Sequence, residues 1–584
     1  MRVADVHGGR PGGARRLAAV LLGAGLLLAG CLPAAGPAAP GAAPANAPGA
    51  GPKTLRLGVI AQEEPKAGFI MTTASVALVE YMYAFHNGLT VYDAQSSLQP
   101  RLAERVPTVE GGDWKILPDG QMEVTWKLRS NVKWHDGVQA TAEDFAFGLK
   151  VFQDPDFPLA KRDSARLISQ VTTPDPTTLV VRWKQTHIDG NVSSPRDIPA
   201  LPAHLMSDLY EKGDKQAFFA SPLWTSQWVG LGPYRLGEWV EGTRLDGLAF
   251  DDYFLGRPRI DRLILQFVGD SGGIFANLLA GAVDMVWYGS LETPQITELK
   301  KVWETTGAGT TLITYTGSRA YSFQLRNLDA PWADLRVRRG LAHMLDRQAL
   351  VETLEGGVGS PADTIVLPND PSHALLEQRG LSRYPFDLGQ AQRLLADASW
   401  PHTPSDGYRS SSGTPLTLDI TFTDSPTNAT EAQAVAGQWK AAGLPEVTLS
   451  PISGTAPAAV RNELRNTFSG VQGISAVADL TTLGYTTEQI GTAANRWSGT
   501  NRGGYSNPTY DRLYEQATIT LDPVQRTSLI ADFLKLLADD VPMINLFYEV
   551  GASGAVRKGI RGPGAAGLPR QELTSWNIHE WEMD

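Results

Sequence analysis

The first sustained apolar run is residues 17–28 (LAAVLLGAGLLL), directly behind the paired arginines Arg15-Arg16. A charged start, about a dozen apolar residues and the small pair Ala29-Gly30 form the pattern of an export signal, and the run falls short of the ~20 residues that span a bilayer. Residues 32–53 are then almost wholly Ala, Pro and Gly, a composition with too little apolar surface to fold and suited to a spacer. Residues 55–60 (LRLGVI), apolar and followed by a polar turn, predict the first strand. From about 86 to 185 short β-like runs alternate with turns, as in 123–129 after Pro118-Asp119-Gly120. Thr141 with Asp144 three residues on approximates a capping box and predicts a helix over 142–152. Helices are also predicted over 334–343 and 347–354, each with an aspartate suited to N-capping. Asn507-Pro508 and Asp522-Pro523 place a capping residue before a proline at the first helical position. In the last of these helices Val524, Ile530, Phe533, Leu534 and Leu537 share one face, a structural stripe. Strands and helices intermix without a strict βαβ rhythm or an internal repeat, so the class is mixed α/β.

Length makes this more than one folding unit: 584 residues exceed what a single core supports, and two or three units are expected. Hydrophobic residues at 42% with charged residues at 19% exclude global disorder. The formal charge is −11, and because four arginines face one aspartate in the first 30 residues, the remainder is more acidic still. Such a body argues against nonspecific nucleic-acid binding. Cys31 is the only cysteine, which excludes intrachain disulfides, cysteine-rich zinc sites, iron–sulfur clusters and an internal thiol nucleophile.

Catalytic and cofactor signatures fail one by one. No GxxxxGK[ST] phosphate loop, GxSxG elbow or HExxH helix occurs. The one GxGxxG, Gly562 to Gly567, contains Pro563 and leaves too little chain for a βαβ unit. The nine histidines are scattered. His135 beside Asp136 is no dyad, since neighbours on a strand point to opposite faces; His135-Asp136-Gly137 reads as a turn. No catalytic residue, metal ligand or cofactor is assigned.

Two resemblances change the picture. Leu28-Ala29-Gly30-Cys31 resembles the lipobox of bacterial lipoproteins, which implies a signal peptide over 1–30, lipidation of Cys31 by more than one acyl chain, and a linker over 31–53. The second runs from about residue 54 to the C-terminus. Trp126-Lys127-Leu128-Arg129, then Val132 to Gly137, then Thr141 to Phe145 resemble one conserved signature of family 5 of the extracytoplasmic solute-binding proteins, the peptide and nickel receptors of ABC importers. Gly230-Leu231-Gly232-Pro233-Tyr234, Asp252 to Pro258, Leu279 to Asp284, Asp334 to Arg338 with Leu345-Asp346-Arg347, and Gly504 to Pro508 follow in the family's order.

That resemblance implies an α/β, two-lobed class II (Venus-flytrap) fold with a subdomain inserted in the first lobe: first-lobe segments over 54–86, 186–318 and 546–584, the subdomain over 87–185, and the second lobe over 319–545. It implies a monomeric receptor outside the cell that encloses a peptide or peptide-like solute and hands it to ABC permease subunits, held to the membrane by its lipid. Carried over by position, Glu63 and Glu64 after the first strand, Trp287 and Tyr288 after Asp284, and Asp479 become ligand-contact candidates. The family's tryptophan near Asp479 is missing here, and Arg496 and Trp497 lie nearby to meet a carboxylate and stack on the solute. A secreted hydrolase, or a sensory or display lipoprotein on the same fold, are the alternatives.

Overall fold

The computed structural model describes residues 51–584 apart from 67, 70–75, 95–96, 155–166, 196, 477–479, 481–482, 552 and 565–573. The export signal, most of the linker, Cys31, Asp479 and half of the Gly562–Gly567 stretch lie outside the described residues.

Three sheets organise the chain. The first has seven strands in the order Gly309–Leu312, Ser553–Arg557, Met285–Leu291, Thr54–Ile60, Arg262–Val268, Arg244–Ala249 and Tyr234–Val240. Its central strand Thr54–Ile60 runs parallel to both neighbours, and Leu55, Leu57 and Val59 are wholly buried. The second has six strands in the order Ser360–Pro361, Met543–Val550, Tyr315–Phe323, Val471–Ala476, Thr417–Thr423 and Glu446–Ile452. The third is a four-stranded antiparallel sheet, Trp114–Ile116, Met122–Lys127, Thr178–Trp183 and Ile168–Asp175, covered by helix Ala142–Gln153. The result is two α/β lobes, each with its own core of buried aliphatic and aromatic side chains.

The lobes are joined by two strand crossings. Strand Gly309–Leu312 of the first sheet continues after two residues as Tyr315–Phe323 of the second, and Met543–Val550 returns to the first as Ser553–Arg557. Where the crossings pass, the Gly551 amide donates to the Thr314 carbonyl at 2.8 Å.

The capping residues do what their chemistry predicts. Asp334, Asp346, Asn507 and Asp522 each accept a backbone amide at the start of their helix, and the Thr141 amide donates to Asp144 Oδ2 at 2.8 Å. Val524 departs from its stripe: Phe533, Leu534 and Leu537 are buried, but Val524 is 77% exposed, because the first turn of helix Pro523–Asp540 projects beyond the core.

The conserved-looking blocks turn out to be joints. His135 ties two of them together: its Nδ1 accepts the Gly230 amide at 3.1 Å and its Nε2 lies 3.0 Å from the Gly232 carbonyl. Gly232 is required there, since a Cβ would fall 2.4 Å from the Phe85 carbonyl carbon. Asp284 receives Nε and Nη2 of Arg56 at 2.9 and 2.6 Å, fastening the helix-to-strand turn to the central strand. Arg338 and Arg347 are buried and spend their guanidiniums on carbonyls, of Trp332, Ala333 and Asp540 for one and of Tyr384 and Asn545 for the other. Among the described residues no helix is long and apolar enough to cross a membrane.

Candidate functional site

The residues nominated by position scatter over both lobes. Glu64 is buried, and its carboxylate accepts Trp239 Nε1 at 2.7 Å and the Gly242 amide at 2.9 Å, with Lys66 Nζ at 3.3 Å. Those three partners make it a fastener for the loop behind the first strand. Glu63 is half-buried, and burial pushes its carboxyl up. Trp287 is wholly buried in the first lobe's core, edge-on to Tyr81 with ring centroids 5.3 Å apart. Tyr288 follows it on strand Met285–Leu291, its side chain outside the described residues. Arg496 is exposed on a second-lobe loop, and Trp497 beside it packs under Arg326, whose guanidinium carbon stands 6.0 Å from the ring centroid. Both residues have positive φ, 55° and 59°, the left-handed region that non-glycine residues seldom adopt. Of the nominated side chains that are described, Glu63, Glu64, Trp287, Arg496 and Trp497, none lines the cavity described next.

That cavity, of 310 Å³, lies in the second lobe beside the crossings. Arg319 comes from strand Tyr315–Phe323, Glu549 from Met543–Val550, Glu355 from the end of helix Arg347–Leu354, and Glu431 from helix Pro426–Ala441. This last helix starts at the carboxyl end of strand Thr417–Thr423, the end at which open α/β sheets gather their ligands. One residue past Glu355 the chain approaches the first lobe: a Cβ on Gly356 would stand 3.1 Å from Thr297 Oγ1 of helix Thr293–Thr306.

Its electrostatics are lopsided. Arg319 grips Glu431 through Nε at 2.6 Å and Nη2 at 3.1 Å, and Nη2 also donates to Asn428 Oδ1 at 2.9 Å. Burial works against the charge on Arg319, but Glu431 outweighs it and holds the guanidinium above its ordinary value. Arg319 is the only cation among the described lining residues, and Glu431 takes it up. Glu549 accepts only a neutral donor, Ser475 Oγ at 2.9 Å. Glu355 is pushed up to about 7, first by burial and then by the charges of Glu549 and Glu431. Among the described lining residues three carboxylates therefore share one cation, and one of them, Glu355, titrates near neutrality. Nothing in the sequence pattern singled these residues out.

The sequence profile described as bacterial extracellular solute-binding proteins, family 5, matches residues 97–481. The oligopeptide-binding protein AppA of Bacillus subtilis is 23% identical over 482 residues, 81% of this chain and 82% of that one. Among solved structures, the oligopeptide-binding protein of Thermus thermophilus complexed with a pentapeptide superposes with a TM-score of 0.58 at 21% identity, over 91% of this chain and 97% of that one. HbpA2 of Haemophilus parasuis reaches 0.71 at 18% identity, over 91% and 100%. At such identities the structural likeness speaks for the fold alone.

Proposed function

The chain belongs to family 5 of the bacterial extracellular solute-binding proteins, and from that premise we propose that it captures a peptide or peptide-like solute between its lobes and delivers it to an ABC importer. The observation that carries this reading is the pair of crossing strands with a polar cavity beside them. A solute touching both lobes favours the closed arrangement by the difference in its affinity for the two states, and the crossings are the place where the backbone can flex. The protein performs no chemistry on the solute; it presents the closed shape to the permease.

The cavity suggests which part of the solute it takes. Three carboxylates sharing one cation suit a peptide's ammonium end or a basic side chain, with main-chain hydrogen bonds along the rest. Because the Glu355 carboxyl titrates near pH 7, raising the pH from 6 to 8 ionises it and should tighten binding of a cationic peptide. Titration calorimetry of an N-acetylated, lysine-containing pentapeptide, whose charge is constant over this range, tests this at both pH values: Glu355→Gln should flatten the dependence, whereas an unchanged pH slope in that variant refutes the assignment.

Cys31 is proposed as the lipid anchor that keeps this receptor at the outer face of the membrane or in the periplasm. Two acyl chains give stable attachment where one is marginal. Cys31→Ala should move the protein from the membrane to the soluble fraction; persistence in the membrane fraction contradicts the anchor.

A further inference from the structure

Arg56 discharges its guanidinium on Asp284 and Arg319 on Glu431. Three arginines of the second lobe have no such partner. Arg326 follows strand Tyr315–Phe323, Arg465 lies in the last turn of helix Ala458–Asn466, and Arg502 lies on the loop before helix Pro508–Ile519. All three are half-buried, and among the described residues none of them pairs with a carboxylate. Arg326 and Arg465 find only neutral acceptors: Nη2 of Arg326 donates to the Arg502 carbonyl at 2.8 Å and Nη2 of Arg465 to Thr423 Oγ1 at 2.9 Å, while the Nε of each is buried without an acceptor. The Arg502 guanidinium has no hydrogen-bond partner among the described residues. Burial holds Arg326 and Arg502 below the ordinary guanidinium value, and for Arg502 the neighbouring Arg465 charge adds to it.

The backbone around these side chains is fixed. Asn501, 1% exposed, clamps both sides of Arg502: its Nδ2 donates to the Tyr485, Thr486 and Tyr505 carbonyls at 3.1, 2.9 and 2.7 Å, and its Oδ1 accepts the Gly504 and Tyr505 amides at 3.1 Å. Gly504, at φ 74°, makes room for Arg326, since a Cβ there would fall 2.4 Å from the arginine's Cγ. Asn466, next to Arg465, donates Nδ2 to the Trp497 carbonyl at 3.2 Å and so holds the Arg496-Trp497 turn in its costly left-handed conformation. Like charges held together on a fixed, partly desolvated frame repel one another until an anion joins them. Planar guanidiniums suit that anion well, because they donate in pairs to the oxygens of a carboxylate or a phosphate.

We propose that Arg326, Arg465 and Arg502 form an oxyanion site, which takes the carboxylate of the captured solute or a free inorganic phosphate. The first source rests on the capture reading above; the second stands without it.

Titration calorimetry of the full-length chain at constant ionic strength tests the site with two probes. One is inorganic phosphate alone, the other a pentapeptide without acidic side chains, compared with its C-terminal amide. Arg502→Gln and Arg465→Gln should each weaken the anion that occupies the site about tenfold and leave the affinity for the amidated peptide unchanged. Arg393→Gln, on an exposed face of helix Leu388–Asp397, should bind as the wild type does. Circular dichroism identifies a variant that fails to fold, and the two test substitutions lie on separate elements, which keeps one informative. A loss confined to phosphate identifies a free anion as the occupant; a loss confined to the free-acid peptide identifies the solute's carboxylate. Phosphate and free-acid peptide bound equally by the wild type and the folded variants, or bound by none of them, overturn the site. A peptide that binds in neither form counts against solute capture, and phosphate then decides the oxyanion site by itself.

Discussion

Acidifying the protein from pH 7 to pH 5 should draw stability out of three buried side chains, because His86, His135 and His579 are held neutral. Burial is the leading cause for all three; repulsion between the protonated forms of His86 and His135 adds to it for His86 and the Arg101 charge for His579, and the three are lowered to about 3, 4 and 3. An unfolded histidine titrates near 6.5. Between that value and 3 to 4 the unfolded chain binds protons that the folded chain refuses, so stability is full above pH 6.5 and falls as the pH drops. At pH 5 each such histidine costs about 2 kcal/mol. Glu80, Asp144 and Glu355, all pushed up chiefly by burial, take protons more readily when folded and offset part of the loss; Glu355, at about 7, offsets about as much as one histidine costs. The check is the urea midpoint at pH 7 and pH 5: His579→Gln should remove about a third of the histidine contribution. A His579→Gln chain whose midpoint shifts between the two pH values as much as the wild type's contradicts the buried, neutral assignment of His579.

Removing Glu431 should be costlier than removing any surface acid. Its side chain is 5% and that of Arg319 12% exposed, and the two are joined by paired hydrogen bonds. Glu431→Ala leaves a buried guanidinium hydrogen-bonded by Asn428 alone, with the Glu549 charge nearby, and should cost about 3 kcal/mol. Replacing both partners together, Arg319→Met with Glu431→Leu, removes the unpaired charge and should restore most of that stability. The non-additivity of the double-mutant cycle is the readout. Equal losses in the single and double variants would show that the pair does not hold the lobe together.

The scaffold was legible in the sequence because its signals are local. Asp334, Asp346, Asn507 and Asp522 cap helices through atoms two or three residues away, and the blocks around His135, Asp284, Arg338 and Arg347 carry recognisable spacing. What those blocks do was not legible. His135 serves the Gly230–Gly232 loop nearly a hundred residues on, and Arg338 binds a carbonyl at residue 540. The cavity is the extreme case: Arg319, Glu355, Glu431 and Glu549 come from four elements brought together only when the second lobe folds. Single glutamates have no period and no motif. Val524 shows the converse, a residue on the right helical face that lies past the end of the core it should have joined.

The central claim is that this receptor binds a peptide-like solute, and a thermal-shift screen of short peptides against sugars, Ni²⁺ complexes and buffer tests it most directly. A ligand that binds only the folded state raises the unfolding temperature in proportion to the logarithm of its concentration over Kd. The account predicts a concentration-dependent rise with peptides, larger for those carrying a basic group. A clear rise with a sugar or a Ni²⁺ complex and none with any short peptide would contradict it.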